Sequence, residues 1–302
     1  MNEDKSAVIT GASTGIGYAT AQYLTERGWR VFAGVRKEAD AERLLADLGP
    51  LVTPLIIDVT DADTCRTAAA EARASLDGRT LSGLVNNAGV AVAGPLLHLP
   101  IEEMTRQLDI NVTGQLRVTQ AFAPLLGAED GRTGPPGRIV NISSVAGLNA
   151  TPVLTPYACS KFALEAFTQG LRRELMLYGI DVVAVNPGPV ATPIWSKAEE
   201  MDPEQYRDTD FYTAIKRILA YMLARGGDGL APETIAAAVH KALTVKTPPL
   251  NQVLTPEPFQ HWLLSALPGR TADRLIAKRL GLTPQARQVT RDRTAKGRAA
   301  QH

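Results

Sequence analysis

The chain has 302 residues, 45% of them apolar and 21% charged, with a formal net charge of +1. That balance fits a globular protein with a sizeable core and argues against nucleic acid or an acidic membrane as a partner of its body. Two cysteines, Cys65 and Cys159, are too few and unpatterned for a disulfide framework or a metal site, and they fit a reducing compartment.

Residues 1–5 carry charge and lead straight into a strand-like segment, so no signal peptide is expected, and no apolar run is long enough to span a bilayer. A cytoplasmic location is the expectation. From there to about residue 190, short β-branched runs at 7–10, 30–35, 52–57, 83–86, 138–143 and 181–186 alternate with helix-period segments at 19–27, 38–48, 63–76, 101–111, 112–126 and 156–178. This alternation predicts βαβ units and a single α/β domain over 1–282, a doubly wound parallel sheet (Rossmann fold) with right-handed crossovers and a seventh strand at 251–255. Residues 127–137, rich in Gly and Pro, predict a surface loop. Residues 193–230 show no strand pattern and read either as a lid over the substrate or as helices covering the body. An amphipathic pattern over 256–282 predicts a helical extension, and the polar tail 283–302, with five basic residues against one acid, is expected to be disordered. The same pattern leaves open a contact with a membrane surface, although sustained Lys and Arg on one polar face are missing.

The first strand ends in Gly11, Ala12, Ser13, Thr14, Gly15, Ile16 and Gly17, and a helix follows. Glycines there let the backbone approach a pyrophosphate, and the helix N-terminus holds the anion. Tyr157 and Lys161 are four residues apart, which on a helix means one face and successive turns. A phenol titrates near pH 10, and a positive charge close by favours the phenolate. Alone, this pair also fits a solvated helix face. Cys159 between them reads as a small filler, since no His lies near it in the sequence.

Taken in order, Gly11, Gly15 and Gly17, the run Asn86, Asn87, Ala88 and Gly89, Asn111, Ser143 and Ser144, Tyr157 and Lys161, and Pro187 and Gly188 resemble the short-chain dehydrogenase/reductase family. The resemblance covers residues 5 to about 193 closely. It implies Tyr157 as the acid/base at the substrate oxygen and Lys161 as the group that lowers its pKa and holds the nicotinamide ribose. Ser144 would hydrogen-bond the same oxygen, Asn111 would sit in a distorted helix and position a water behind Lys161, and Ser143 would be structural. It further implies Ser13, Thr14 and Ile16 at the phosphates and Asp58 and Val59 beside the adenine. Asn87, Ala88 and Gly89 would lie along the ribose, with Pro187, Gly188, Val190 and Thr192 toward the nicotinamide. At the family's usual acidic position stands Val35, followed by Arg36 and Lys37, so nothing repels a 2′-phosphate and Arg36 offers a planar fork to it. NADP(H) is therefore favoured over NAD(H), even though Thr14 stands where NADP-preferring members often carry a base.

Substrate contacts are expected from Ser144, Ala146, Leu148, Leu154, Tyr157 and Trp195, with Val90, Val92 and Pro189 nearby. This mostly apolar set predicts a hydrophobic secondary alcohol or ketone, and the long C-terminal region resembles that of members acting on steroids and retinoids. The alternatives are a member acting on small carbonyl compounds, or a cofactor-binding regulatory or scaffold protein without turnover; the latter would have lost at least one of Asn111, Ser144, Tyr157 and Lys161. The resemblance also implies a homodimer or homotetramer formed through the 112–126 and 156–178 helices.

Overall fold

A computed structural model describes residues 5–192, 202–227 and 229–287. Strands β1 (Ser6–Ile9), β2 (Arg30–Val35), β3 (Val52–Ile56), β4 (Gly83–Asn86), β5 (Arg138–Ile142), β6 (Asp181–Pro187) and β7 (Asn251–Leu254) form a parallel sheet in the order β3-β2-β1-β4-β5-β6-β7. The strand order reverses between β1 and β4, which opens a crevice at their C-terminal ends. Helices α1 (Gly15–Thr25), α2 (Glu38–Leu48), α3 (Ala62–Leu76), α4 (Ile101–Leu108), α5 (Gly114–Phe122), α6 (Thr155–Leu175) and α8 (Pro232–Thr244) cover the sheet, and α7 (Tyr212–Gly227), α9 (Pro258–Ala266) and α10 (Gly269–Leu280) belong to the region after β6.

Because successive strand residues face opposite sides, a strand buried on both faces reads as a continuous apolar run. In β1, Ala7 and Ile9 pack with Leu24 of α1 and Ile235 and Val239 of α8, while Val8 packs with Phe32, Ala68 of α3 and Val118 and Phe122 of α5. This is the doubly wound architecture expected from the alternating pattern. A third cluster joins Val153 and Leu154, just before α6, to Tyr206, Ile215, Ile218 and Met222 and to Ile276 and Leu280 of α10. The C-terminal region thus sits against the chain that leads into Tyr157.

Local details differ from the periodicity. The helix expected at 19–27 begins at Gly15, because the glycines of the turn form its first turn. The two helices expected over 101–126 are a single run in which a π-helical turn, Asp109–Thr113, separates α4 from α5, with a 3-10 turn at Ala123–Leu126. Such a turn shifts a side chain out of the regular helical register, and Asn111 is the residue it displaces. Residues 193–201, part of the segment read as a lid, lie outside the described residues; the remainder forms a 3-10 turn at Pro203–Tyr206 and α7. At the start of the 283–302 tail, Arg287 pairs with Asp210 at 2.8 Å; residues 288–302 lie outside the described residues.

Candidate active site

The crevice between β1 and β4 is stitched by side chains. The Thr10 hydroxyl accepts from the backbone N–H groups of Asn87 and Ala88, both at 3.0 Å, and the Asn87 amide donates to the carbonyls of Thr10 and Gly11 at 2.9 and 3.1 Å. Gly11 has φ +64°, a left-handed conformation that favours glycine. At Gly17 a Cβ would lie 2.2 Å from the Gly11 carbonyl oxygen and 2.6 Å from the Asn87 amide nitrogen, so a side chain there would push apart the two walls of the turn. Thr14, before α1, is extended and its side chain makes no capping bond. The first N–H groups of α1 therefore have no cap from Thr14, at the end of the helix where the dipole is positive. This glycine-built, uncapped cradle fits a dinucleotide pyrophosphate.

At the end of β2, Arg36 and Lys37 are exposed. Burial works against a charge on Asp58, but the hydroxyl and N–H of Thr60 donate to its carboxylate at 2.7 and 2.9 Å, and with the Arg36 guanidinium nearby they hold its pKa below the usual value. Val59 is buried against Gly114, where a Cβ would come within 3.0 Å of its side chain and carbonyl oxygen. One basic residue escaped the sequence reading. Arg43 of α2 reaches the phosphate turn, donating to the Ser13 carbonyl at 2.7 Å while pairing with Asp40 at 2.9 Å. A guanidinium thus lies at the turn in which Thr14 supplies no charge.

Beyond β5 the chain passes through Ser144 into a short 3-10 turn and then into α6. The Ser144 hydroxyl accepts from the Ala146 N–H at 3.1 Å and donates to the Pro187 carbonyl at 3.3 Å. Ser143, just past the end of β5, is buried with its hydroxyl unpartnered. Tyr157 is half-buried. Burial pushes its phenol above the usual value, and a hydrogen bond with Ser144 opposes that rise. Lys161 is 5% exposed; its ammonium donates to the Ile142 carbonyl at 2.8 Å and lies 5.6 Å from the centre of the Tyr157 ring. Burial pushes its pKa down to about 8, with the charge of Glu165 acting in the other direction. Burial and Ser144 thus act on the phenol in opposite directions, with the Lys161 ammonium one helical turn away. Taking either group out of water disfavours its ionised form.

Asn111, in the π-helical turn, is fully buried. Its amide oxygen accepts from the Val90 N–H at 2.9 Å, and its nitrogen donates to the Val90 carbonyl at 2.9 Å and to the Ser160 hydroxyl at 3.1 Å. Gln107, one helical turn earlier, accepts from the Val92 N–H at 2.6 Å and donates to the Val90 carbonyl at 2.9 Å. Together they fix the loop after β4, which runs on from Asn87, Ala88 and Gly89. The sequence signal for Gln107 was only its spacing of four residues from Asn111.

Of the expected substrate contacts, Leu148 is exposed, Ala146 is half-buried next to Ser144, and Leu154 packs on the C-terminal cluster. Trp195 lies outside the described residues. A cavity of about 190 Å³ separates Ala150 and Pro152 from Asp273, Ile276, Ala277 and Leu282, between the loop before α6 and the α10 region. After β6, Val190 is buried, and its segment is stitched to residue 230 by bonds of 2.9 Å from the Leu230 N–H to the Pro189 carbonyl and from the Ala191 N–H to the Leu230 carbonyl. Gly188 and Thr192 flank Val190 on this stretch beside the end of β6.

Comparison with known proteins agrees with this arrangement. The profile described as short chain dehydrogenase matches residues 5–203. A protein from Ornithobacterium rhinotracheale described as an NADPH-dependent 3-dehydrocapnine reductase is 36% identical over 91% of this chain and 96% of its own length. Retinol dehydrogenase 16 of Mus musculus is 35% identical over 65% of this chain and 60% of its own length. A short chain dehydrogenase from Burkholderia cenocepacia, solved in complex with NADP, superposes with a TM-score of 0.66 at 28% identity, covering 93% of this chain and 99% of that one. With its glycine cradle at the switch point of the sheet and Ser144, Tyr157 and Lys161 gathered beyond β5, the chain belongs to the short-chain dehydrogenase family of nicotinamide-dependent oxidoreductases.

Proposed function

We propose that the protein reduces a hydrophobic ketone to its secondary alcohol with NADPH, with Tyr157 as the proton donor. The observation that carries this reading is the placement of Ser144, Tyr157 and Lys161 together at the C-terminal end of β5, two strands from the glycine cradle after β1. When bound, the nicotinamide supplies the hydride. The chain's own residues then do the remaining work: the Ser144 hydroxyl orients the substrate oxygen, and the Tyr157 hydroxyl gives it a proton as charge develops there. The upward push on the phenol keeps Tyr157 protonated, the form that reduction needs. Lys161 would hold the ribose, and its ammonium, 5.6 Å from the centre of the Tyr157 ring, would make the proton easier to release.

Preference for NADP(H) is supported by Arg36 and Lys37 at the end of β2, by the position of Arg43 at the phosphate turn, and by a relative described as NADPH-dependent. A hydrophobic substrate is supported by apolar Val92 in the loop after β4 and by Ala146, Leu148 and Leu154 between Ser144 and Tyr157; a relative described as a retinol dehydrogenase supports the same reading. Leu116 of α5 and Phe162 of α6 are large and exposed, 39% and 45%, which supports a homodimer joined through these helices. Free Cys65 and Cys159 fit the cytoplasm as its location. No helix among the described residues is long and apolar enough to cross a membrane.

A panel of ketones, followed through loss of NADPH absorbance, tests the reading. Turnover of long-chain or polycyclic ketones well above that of small polar carbonyls is expected, and the reverse order would overturn the hydrophobic assignment.

A further inference from the structure

Tyr157, Lys161 and Glu165 follow one another at four-residue spacing along α6, so they share the face turned to the sheet. Glu165 is half-buried, and both of its oxygens are engaged. One accepts from the Asn186 amide of β6 at 2.6 Å, the other from the Asn251 amide of β7 at 2.9 Å. The same Asn186 nitrogen also lies 3.4 Å from the Ser144 carbonyl, and the next residue, Pro187, accepts the Ser144 hydroxyl. Asn186 is fully buried and its amide oxygen has no partner, so its orientation is set by what its nitrogen donates to. A carboxylate on the helix thus governs an amide that touches the backbone of Ser144.

We propose that Glu165 is a positioning residue of the site: it orients Asn186 beneath Ser144 and supplies the fixed negative charge that lets the buried Lys161 remain an ammonium. The proposal rests on the roles given above to Ser144, Tyr157 and Lys161. Other charges on the elements packed against α6 are occupied elsewhere. Asp181 of β6 pairs with Arg138 at 3.4 Å, Asp109 of the π-helical turn with Arg117 at 2.8 Å, and Glu103 of α4 with Arg106 at 2.7 Å; Glu102 of α4 is exposed, and the flanking 3-10 turns carry Tyr178 alone. Glu165 is the charge that acts on Lys161. Lysine needs it because burial without a counter-charge drives the ammonium toward the neutral amine.

The test is a titration of the Lys161 ε-carbon by NMR in the full-length protein without cofactor, the resonance being assigned by its loss in Lys161→Met. Glu165→Gln keeps an acceptor for Asn186 and removes the charge. The midpoint, about 8 in the parent, is expected to fall far enough to cut the charged fraction at that pH about threefold. Asn251→Lys, at an exposed strand position, neutralises the outer Glu165 oxygen and is expected to shift the midpoint in the same direction, which keeps the test open if Glu165→Gln folds poorly. With the panel substrate, the alkaline limit of kcat should move down in parallel in both variants. An unchanged midpoint in the folded variants would overturn the proposal. The NMR midpoint does not depend on turnover, so an active Tyr157→Phe protein would refute the reaction assignment while leaving this result standing.

Discussion

The Lys161 ammonium lies 5.6 Å from the centre of the Tyr157 ring, one turn along α6, in a setting where burial works against its charge. Lysine ordinarily titrates near 10.5, and here the value falls to about 8. Between these two values the unfolded chain holds a proton that the folded chain has released, so stability from this group rises with pH across the window and its full cost is felt below it. Lys161→Met removes that cost. At pH 7 the variant is expected to be more stable than the parent by up to roughly 3 kcal/mol, less whatever the lost bond to Ile142 contributed. Urea unfolding should show the gap narrowing as pH rises toward 10.5. A gap that stays constant or widens would contradict the account, and turnover should be lost in either case.

Arg36 follows β2 and Arg43 lies in α2, where its bond to the Ser13 carbonyl brings a second guanidinium to the turn after β1. Charge-assisted bonds to a phosphate contribute about 1.5–3 kcal/mol, so Arg36→Ala and Arg43→Ala should each weaken NADPH binding by roughly tenfold or more. In Arg36→Ala, NADH binding should change by less than about twofold, because NADH lacks the 2′-phosphate that this fork-shaped group recognises. Fluorescence titration with both nucleotides checks this directly, and equal losses for the two in Arg36→Ala would show that Arg36 does not read that phosphate.

Asn111 and Gln107 satisfy both backbone groups of Val90 and the N–H of Val92 in a buried place. Replacing Asn111 by Leu leaves the buried Val90 N–H without its partner and takes one donor from the Val90 carbonyl and the Ser160 hydroxyl, at a cost of about 1–3 kcal/mol, and thermal melting should record it. Gln107→Leu, which spares the Asn111 bonds, should raise the KM for the ketone more than it weakens NADPH binding, since it loosens the loop on the substrate side. A variant with unchanged KM would place Gln107 in stability alone.

The glycine cradle and the Ser144, Tyr157 and Lys161 set were legible because their chemistry is written in short, ordered spacings, and the sheet because doubly buried strands read as apolar runs. Gly17 shows how firm such a signal is, as any side chain there would meet the Gly11 carbonyl. What escaped depends on contacts between distant parts of the chain. Arg43 meets Ser13 across 30 positions, and Glu165 meets Asn251 across 86. Nothing local marks either residue as more than a solvated helix charge. The family resemblance implied a distorted helix at Asn111, but that the distortion is a π-helical turn was not legible, because periodicity carries no mark of one extra residue in a turn. The phenol was read from its spacing to Lys161, and the burial and Ser144 bond that also act on it depend on the folded chain.

The central claim is that Tyr157 gives the proton while the cofactor gives the hydride. NADPH oxidation by the best ketone of the panel, measured for the parent and for Tyr157→Phe alongside NADPH binding to each, tests it most directly. The expected result is a fall in kcat of at least about a hundredfold with NADPH affinity kept within about threefold, since the ring and its packing remain. A Tyr157→Phe protein that turns over within a few-fold of the parent would contradict it.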